Sequence, residues 1–160
     1  MPEPQSDASA GTGIRVIPPL VLLAALVIAF LADWLWPLGF GLPALIRWPF
    51  GLVLALGPVA MLPSLFTAFR RAGSEYDVRK VPKALVTEGA FRYSRNPGYL
   101  GSVIFGVGIG ILFNTAWVLL LMVPFAVIIH LAVVLKEERV LEREFGQAYL
   151  DYKRRVGRWI

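Results

Sequence analysis

The stretch AWVLLLMVPFAVIIHLAVVL, residues 116–135, decides the fold of this chain. It holds twenty residues without a formal charge, and a helix needs roughly 20 apolar residues to cross a hydrocarbon core about 30 Å thick. Three further apolar runs lie outward from it, the shortest of which needs its flanks or a thinned bilayer to span. The expected fold class is all-α: an integral membrane protein with about four transmembrane helices, over residues 17–38, 48–69, 98–113 and 116–136.

Two terminal segments flank the expected single membrane domain, residues 16–160. Residues 1–15 are rich in Ser, Ala, Gly and Pro, which predicts a disordered tail. A cleaved signal peptide is not expected, because the start is acidic and no small-residue cleavage site follows the first apolar run. Residues 137–160 place apolar side chains every three or four positions, which predicts an amphipathic helix that lies on the membrane or folds back over the helix ends, with a break at Gly146.

The basic residues are concentrated in two places. Fourteen of the sixteen Lys and Arg residues follow the second or the fourth run: Arg70, Arg71, Arg79, Lys80, Lys83, Arg92 and Arg95, and then Lys136, Arg139, Arg143, Lys153, Arg154, Arg155 and Arg158. Because basic loops stay in the cytoplasm, both termini and the central loop are expected there. This rule and contact with anionic lipids explain the net charge of +5, so no nucleic-acid partner is expected.

Two polar segments are expected to meet at the cytoplasmic face. One is KALVTEGAFRYSRNPGYLG, residues 83–101, and the other is KEER, residues 136–139. Asn114 and Thr115 leave room only for a tight turn, so the third and fourth helices should form an antiparallel hairpin that brings the two segments together. This convergence indicates where chemistry would occur.

The first polar segment has the groups that a charged, flat ligand needs. Asn96 is a plausible helix N-cap, and the amides beside it, together with Arg95, suit a carboxylate. Phe91 and Tyr99 offer aromatic faces for a sulfonium cation or an adenine. A basic interfacial loop with an ordinary helix cap explains the same pattern equally well.

The second polar segment carries two carboxylates. Glu137 shares an apolar helical face with His130, seven residues earlier, and a carboxylate on such a face at the membrane edge favours function. Glu138 is more readily interpreted as a solvated charge, and His130 as a packing group. With one histidine and no cysteine, neither a metal site nor a disulfide is expected.

The third helix is unusually rich in glycine, at positions 98, 101, 106, 108 and 110. The Gly106-x-x-x-Gly110 pair permits close contact between helices. The same glycines predict a groove that is open to lipid, with Gly106 in it, where a lipophilic molecule would bind.

The run VTEGAFRYSRNPGYLG, residues 86–101, resembles the signature of the membrane-embedded isoprenylcysteine carboxyl methyltransferase and phospholipid methyltransferase family. The pattern Glu137-Glu138-x-x-Leu141, followed by Phe145-Gly146-x-x-Tyr149-x-x-Tyr152, is similar to that family too. The resemblance covers about half of the chain, from residue 74 onward. It implies a helical membrane methyltransferase that holds S-adenosylmethionine between the loop before the third helix and the end of the fourth.

The residues that match the family's cofactor contacts, with Arg95 added for its charge, are Lys83, Ala84, Leu85, Val86, Phe91, Arg95, Asn96, Pro97, Gly98, Tyr99 and Glu137. The candidate catalytic residues are Glu137, Glu138 and His130. A carboxylate acceptor would need no base, whereas an amine, thiol or hydroxyl acceptor would use one of these three.

Two departures from the family's pattern bear on the substrate. Asn96 stands where eukaryotic members carry His, a pattern typical of bacterial relatives, which implies a bacterial inner membrane. Residues 131–135 lack the Arg that eukaryotic carboxyl methyltransferases associate with their substrate. A small lipophilic or membrane-resident acceptor is therefore expected. Two alternatives remain: an NADPH-dependent membrane reductase of the sterol reductase type, and a non-enzymatic membrane protein.

Overall fold

The computed structural model describes residues 13–14, 16–74 and 81–160. The predicted tail over residues 1–15 lies outside them, apart from residues 13 and 14. Within the described residues all regular structure is helical. The helices are α1 (Pro18–Leu35), α2 (Ala44–Arg71), α3 (Pro97–Phe113), α4 (Ala116–Ile129) and α5 (Leu135–Arg155), with a 3₁₀ turn at Gly89–Arg92 and a π-helical segment at His130–Val134.

Three helical stretches are each long and apolar enough to cross a membrane: α1, α2 and the stretch Ala116–Arg155. The third consists of α4, the π-helical segment and α5, and it is kinked at Gly146. The apolar helix α3 has 17 residues, so it is only about 26 Å long. The all-α membrane fold class is therefore confirmed, with α3 as the short member.

Two helix boundaries differ by four or more residues from those predicted. Helix α2 begins at Ala44, four residues before the predicted start, because Pro43 ends the preceding loop and the residues after it are already apolar. The chain does not leave the helical path at residue 136. The non-helical backbone angles fall at Gly146 (φ 48°, ψ −122°), the residue at which the sequence predicts the break.

Helix α3 packs against both α2 and α4, and α1 packs mainly against α4. Glycine permits this closeness: a Cβ at Gly108 would lie 2.5 Å from the backbone nitrogen of Ala55 in α2. A Cβ at Gly106 would collide with the sulfur of Met122 in α4. The prediction that Gly106 lines a lipid-facing groove is therefore wrong, because Met122 already fills that side of α3.

The tight α3–α4 turn closes one end of the bundle, which we call the turn end. Asn114 adopts the left-handed conformation there (φ 55°). Its Oδ1 accepts a hydrogen bond from the backbone nitrogen of Phe40 (3.2 Å), and the nitrogen of Ala116 donates to the carbonyl oxygen of Leu38 (2.7 Å). The α1–α2 connection thus lies over the turn and holds the hairpin that carries the polar segments at its other end.

Candidate functional site

The hairpin brings the two polar segments into contact at the end opposite the turn, which we call the cluster end. The hydroxyl of Tyr99, in the first turn of α3, donates a 3.0 Å hydrogen bond to Oε1 of Glu137 at the start of α5. Tyr99 is buried, with 6% of its surface exposed. The segments predicted to converge therefore meet through these two side chains.

A second contact between the segments is ionic. Glu138 accepts from Nη1 of Arg95 at 2.9 Å, and from Nε and Nη2 of Arg158 at 2.9 Å and 2.8 Å. Nη1 of Arg95 also lies 3.3 Å from the hydroxyl of Tyr149. We call Arg95, Glu138, Tyr149 and Arg158 the charged cluster. The interpretation of Glu138 as a solvated charge is wrong: it is buried (6% exposed), because two guanidinium groups compensate its charge.

The charged cluster carries one more positive than negative charge. The side chains of Arg95 and Glu138 are only 9% and 8% exposed, and the buried Nε of Arg95 has no hydrogen-bond partner among the described residues. The hydrogen bonds to Glu138 raise the pKa of Arg158, so its guanidinium group stays protonated. An uncompensated buried charge is costly. The cluster therefore fits an anionic ligand group, and a carboxylate matches the N–H geometry of a guanidinium.

Residues 156–160, which we call the strap, leave α5 and cross the beginning of α3. The Gly157 carbonyl accepts from the nitrogen of Arg95 (3.0 Å), and the Arg158 carbonyl accepts from Nδ2 of Asn96 (3.0 Å) and more weakly from the Ser94 hydroxyl (3.4 Å). The Asn96 side chain makes no capping hydrogen bond to α3. Asn96 is thus the N-cap residue of α3, as predicted, but its side chain holds the strap through Nδ2 and does not cap the helix.

His130 lies in the π-helical segment, not beside Glu137. The extra residue in a π-helical turn changes the angular offset along the helix, so the seven-residue spacing no longer places the two side chains on one face. The His130 ring lies 5.9 Å from the indole of Trp159 in the strap, and its Nδ1 is buried without a hydrogen-bond partner. Glu137 contacts Tyr99 instead.

The first four predicted cofactor contacts lie in the chain that leads to the 3₁₀ turn. Lys83 is exposed, and its backbone nitrogen donates to the Ser74 hydroxyl (3.3 Å). Ala84 and Leu85 are half-buried, and Val86 is buried. No hydrogen bond ties their side chains to the charged cluster.

Phe91, in the 3₁₀ turn, packs its ring edge-to-face on Phe69 of α2, with 5.5 Å between the ring centres. Its carbonyl oxygen accepts from the hydroxyl of Tyr152 in α5 (2.7 Å). Phe91 therefore ties the loop both to α2 and to α5, and its backbone takes part in the second of these contacts.

An apolar groove of about 200 Å³ lies between α1, α2 and the cluster-end half of α3. The Ser102 hydroxyl in its wall already donates to the carbonyl of Gly98 (2.9 Å). The groove includes the predicted contacts Pro97 and Gly98, so it adjoins the polar site. Its lining includes Leu22, Pro58, Leu62, Pro97, Gly98, Gly101, Ser102 and Phe105.

Sequence reasoning missed the roles of Tyr149, Arg158 and Trp159. Arg158 was interpreted only as one of many basic residues that set topology, and Tyr149 only as part of an amphipathic stripe and of a family pattern. The sequence predicts that the segment after residue 136 lies on the membrane surface or folds back over the helix ends, without deciding between the two. It gives no sign of which residue returns to which partner.

The part of this chain that matches a known protein family includes Arg95, Tyr99, Glu137 and Glu138. A family model described as phospholipid methyltransferase matches residues 46–148, which is more than half of the chain. The solved structure of a eukaryotic intramembrane Ras methyltransferase, isoprenylcysteine carboxyl methyltransferase, matches with a TM-score of 0.64 and 23% identity, over 89% of this chain and 51% of that one. At this identity the likeness shows the fold, and this chain spans about half the length of that protein. No curated protein sequence matches.

Proposed function

This chain belongs to the phospholipid methyltransferase family, and on that premise we propose that it transfers a methyl group from S-adenosylmethionine to a lipophilic acceptor at the cytoplasmic face of a membrane. The observation that carries the proposal is the 3.0 Å contact between Tyr99 and Glu137. It joins two segments inside the matched region, next to a charged cluster that carries one more positive than negative charge. The basic residues after α2 and α4 support the cytoplasmic orientation, and the Arg-Asn-Pro pattern favours a bacterial inner membrane.

The proposed role of the chain's residues is to hold and orient. S-adenosylmethionine, when bound, supplies a methyl group on a sulfonium that is already a good leaving group, so alignment is most of the task. The free Nε of Arg95 suits the carboxylate of the cofactor. Glu137 and the ring of Tyr99 suit its cationic part, through charge and through the aromatic face.

The proposed acceptor is a small lipophilic or membrane-resident molecule whose apolar chain lies in the groove. The groove supports this because it offers apolar walls beside Pro97 and Gly98. If the acceptor is an amine, thiol or hydroxyl, Glu137 or His130 would take its proton. Glu138 suits this role less, because two guanidinium groups stabilise its ionised form.

The test of the proposed function is cofactor binding by Tyr99→Phe and Glu137→Gln in detergent. In the first variant Glu137 loses the hydroxyl that orients it, and in the second it loses its charge. The proposed contact with the cationic part of the cofactor should weaken by roughly 1.5–3 kcal/mol in each, so affinity for S-adenosylmethionine should fall about tenfold to over a hundredfold in titration calorimetry. Tyr93→Phe is the matched control, because Tyr93 is 78% exposed, and it should bind like the unsubstituted chain.

Two outcomes of this titration contradict the proposal. Unchanged affinity in both variants would move the cofactor site away from Tyr99 and Glu137. Binding of NADPH in place of S-adenosylmethionine by the unsubstituted chain would favour the reductase alternative.

A further inference from the structure

The strap lies beyond residues 46–148, the region that the family model matches, yet it contacts the predicted cofactor residues. Its carbonyl oxygens accept from the backbone of Arg95 and the side chain of Asn96. A Cβ at Gly157 would collide with the carbonyl of Ile160, so the strap bends sharply at a residue with no side chain. These contacts place the Arg158 side chain over Glu138.

The hydrogen bonds of Glu138 are divided unequally between its two partners. Arg158 binds it through two nitrogens, Nε and Nη2, which contact both carboxylate oxygens. Arg95 uses only Nη1 on Oε1, and it shares that nitrogen with Tyr149. Arg95 therefore does not make the two-nitrogen contact with Glu138, and its Nε stays without a partner.

The arrangement expected in the absence of Arg158 shows what this residue does. An arginine beside a carboxylate prefers the bidentate contact, which uses two parallel N–H groups. Without Arg158, both oxygens of Glu138 would be available to Arg95. The Arg95 guanidinium would then turn onto Glu138, and its Nε would be lost to any other anion.

We infer that the strap is part of the cofactor site and that Arg158 is a positioning residue, which occupies Glu138 so that Nε of Arg95 remains available to a carboxylate of the ligand. This inference rests on the proposed function and deepens it. It names the ligand group that the charged cluster recognises, and it assigns a role to a residue outside the matched region. Arg158 acts through Glu138 and Arg95 and need not touch the ligand.

The experiment compares two ligands that differ at the carboxylate. S-adenosylmethionine carries an amino-acid moiety on its sulfonium, whereas methylthioadenosine keeps the nucleoside and the methyl-bearing sulfur, as a neutral thioether, and has no carboxylate. Titration calorimetry on Arg158→Gln should show about tenfold weaker binding of S-adenosylmethionine and a change within about twofold for methylthioadenosine. Arg158→Lys, which keeps the charge and loses the bidentate geometry, should fall between the two.

Two further variants separate positioning from general destabilisation. Arg155→Gln is the matched control, because Arg155 lies three residues away, is exposed, and within the described part of the chain bonds to the carbonyl of Asp151. Ligand binding by this variant should not change. In an Arg95→Gln background, Arg158→Gln should cost no further affinity for S-adenosylmethionine, because the residue through which it acts is gone.

Equal losses for both ligands, or the same loss with and without Arg95, would show a merely structural strap and overturn the inference. If Arg158→Gln does not fold, the ligand comparison on Arg158→Lys decides in the same way. An unsubstituted chain that binds neither ligand would overturn the proposed function, and the inference with it. A chain that binds both but shows no difference between them in the Arg158 variants would overturn the inference alone.

Discussion

The two ends of the helical bundle are closed by different chemistry. At the turn end, neutral groups make the contacts: Asn114 with Phe40, Ala116 with Leu38, and the indole nitrogen of Trp117 with the carbonyl of Trp36 (2.8 Å). At the cluster end, buried ionised groups do so, with Arg95 and Arg158 on Glu138. The turn end is held largely through backbone atoms, whereas the cluster end is held through side chains.

The difference shows which end is built for more than stability. Burying ions costs desolvation energy, and apolar side chains of similar volume often stabilise a protein at least as well as a buried ion pair. The neutral turn end does only what folding requires. The cluster end carries the larger desolvation cost. It also leaves Nε of Arg95 without a hydrogen-bond partner among the described residues, which supports the proposal that a ligand binds there.

The largest effect is expected at the cluster end, from Glu138→Gln. Removing the carboxylate leaves two guanidinium groups together, one of them buried, and breaking a buried ion pair in this way costs roughly 3–5 kcal/mol. Thermal and denaturant unfolding in detergent measure the loss. Glu142→Gln is the control: Glu142 pairs with Lys153 at the surface (3.2 Å), and its loss should cost less than about 1 kcal/mol. Similar losses for the two variants would remove the contrast between a buried and a surface ion pair.

A smaller effect is expected at the turn end, from Asn114→Ala. The substitution removes the acceptor for Phe40 and places alanine at φ 55°, a conformation that asparagine adopts more readily than alanine. The combined cost should be roughly 1–2 kcal/mol. The unfolding midpoint should fall, while affinity for S-adenosylmethionine stays within about twofold. A large loss of affinity in the folded variant would show that the two ends are coupled and would break the comparison.

The smallest effect on stability is expected from Gly101→Leu, in the groove near the cluster end. A Cβ at Gly101 lies 3.3 Å from Pro58, and the rest of the side chain would occupy the groove, so stability should change by less than about 1 kcal/mol. Methylation of a lipid extract should fall, with cofactor affinity within about twofold, roughly 0.4 kcal/mol. Gly57→Leu is the matched control, because a Cβ there meets nothing within 4 Å. Equal methylation by both variants would place the acceptor elsewhere.

The sequence predicts the helices well because their signal is local. A run such as residues 116–135 needs only its own apolar composition to indicate a membrane helix. The turn at Asn114 and Thr115 similarly predicts the hairpin, and the hairpin predicts that residues 83–101 meet residues 136–139. The break at Gly146 follows from the residue type, since glycine tolerates positive φ.

The rest of the site depends on contacts that no local pattern carries. The π-helical segment His130–Val134 is entirely apolar apart from its histidine, so nothing in its composition indicates the extra residue that separates His130 from Glu137. Arg158 has the same residue type as its exposed neighbours Arg154 and Arg155. Only the path of the strap selects it for Glu138. The neighbour that Gly106 faces likewise depends on how α4 is oriented about its axis where it packs against α3.

The strap contacts residues that lie far away from it along the chain, and this distance bears on when it docks during folding. Ser94 and Arg158 are 64 positions apart, and contacts of such long sequence separation form late because a large loop must close first. Helix formation and packing of α3 against α4 rely on nearer partners, so they precede it. The strap therefore docks after the α3–α4 hairpin has formed. On its proposed role, cofactor binding would then report a docked strap, since a chain with formed helices and an undocked strap would not hold the ligand.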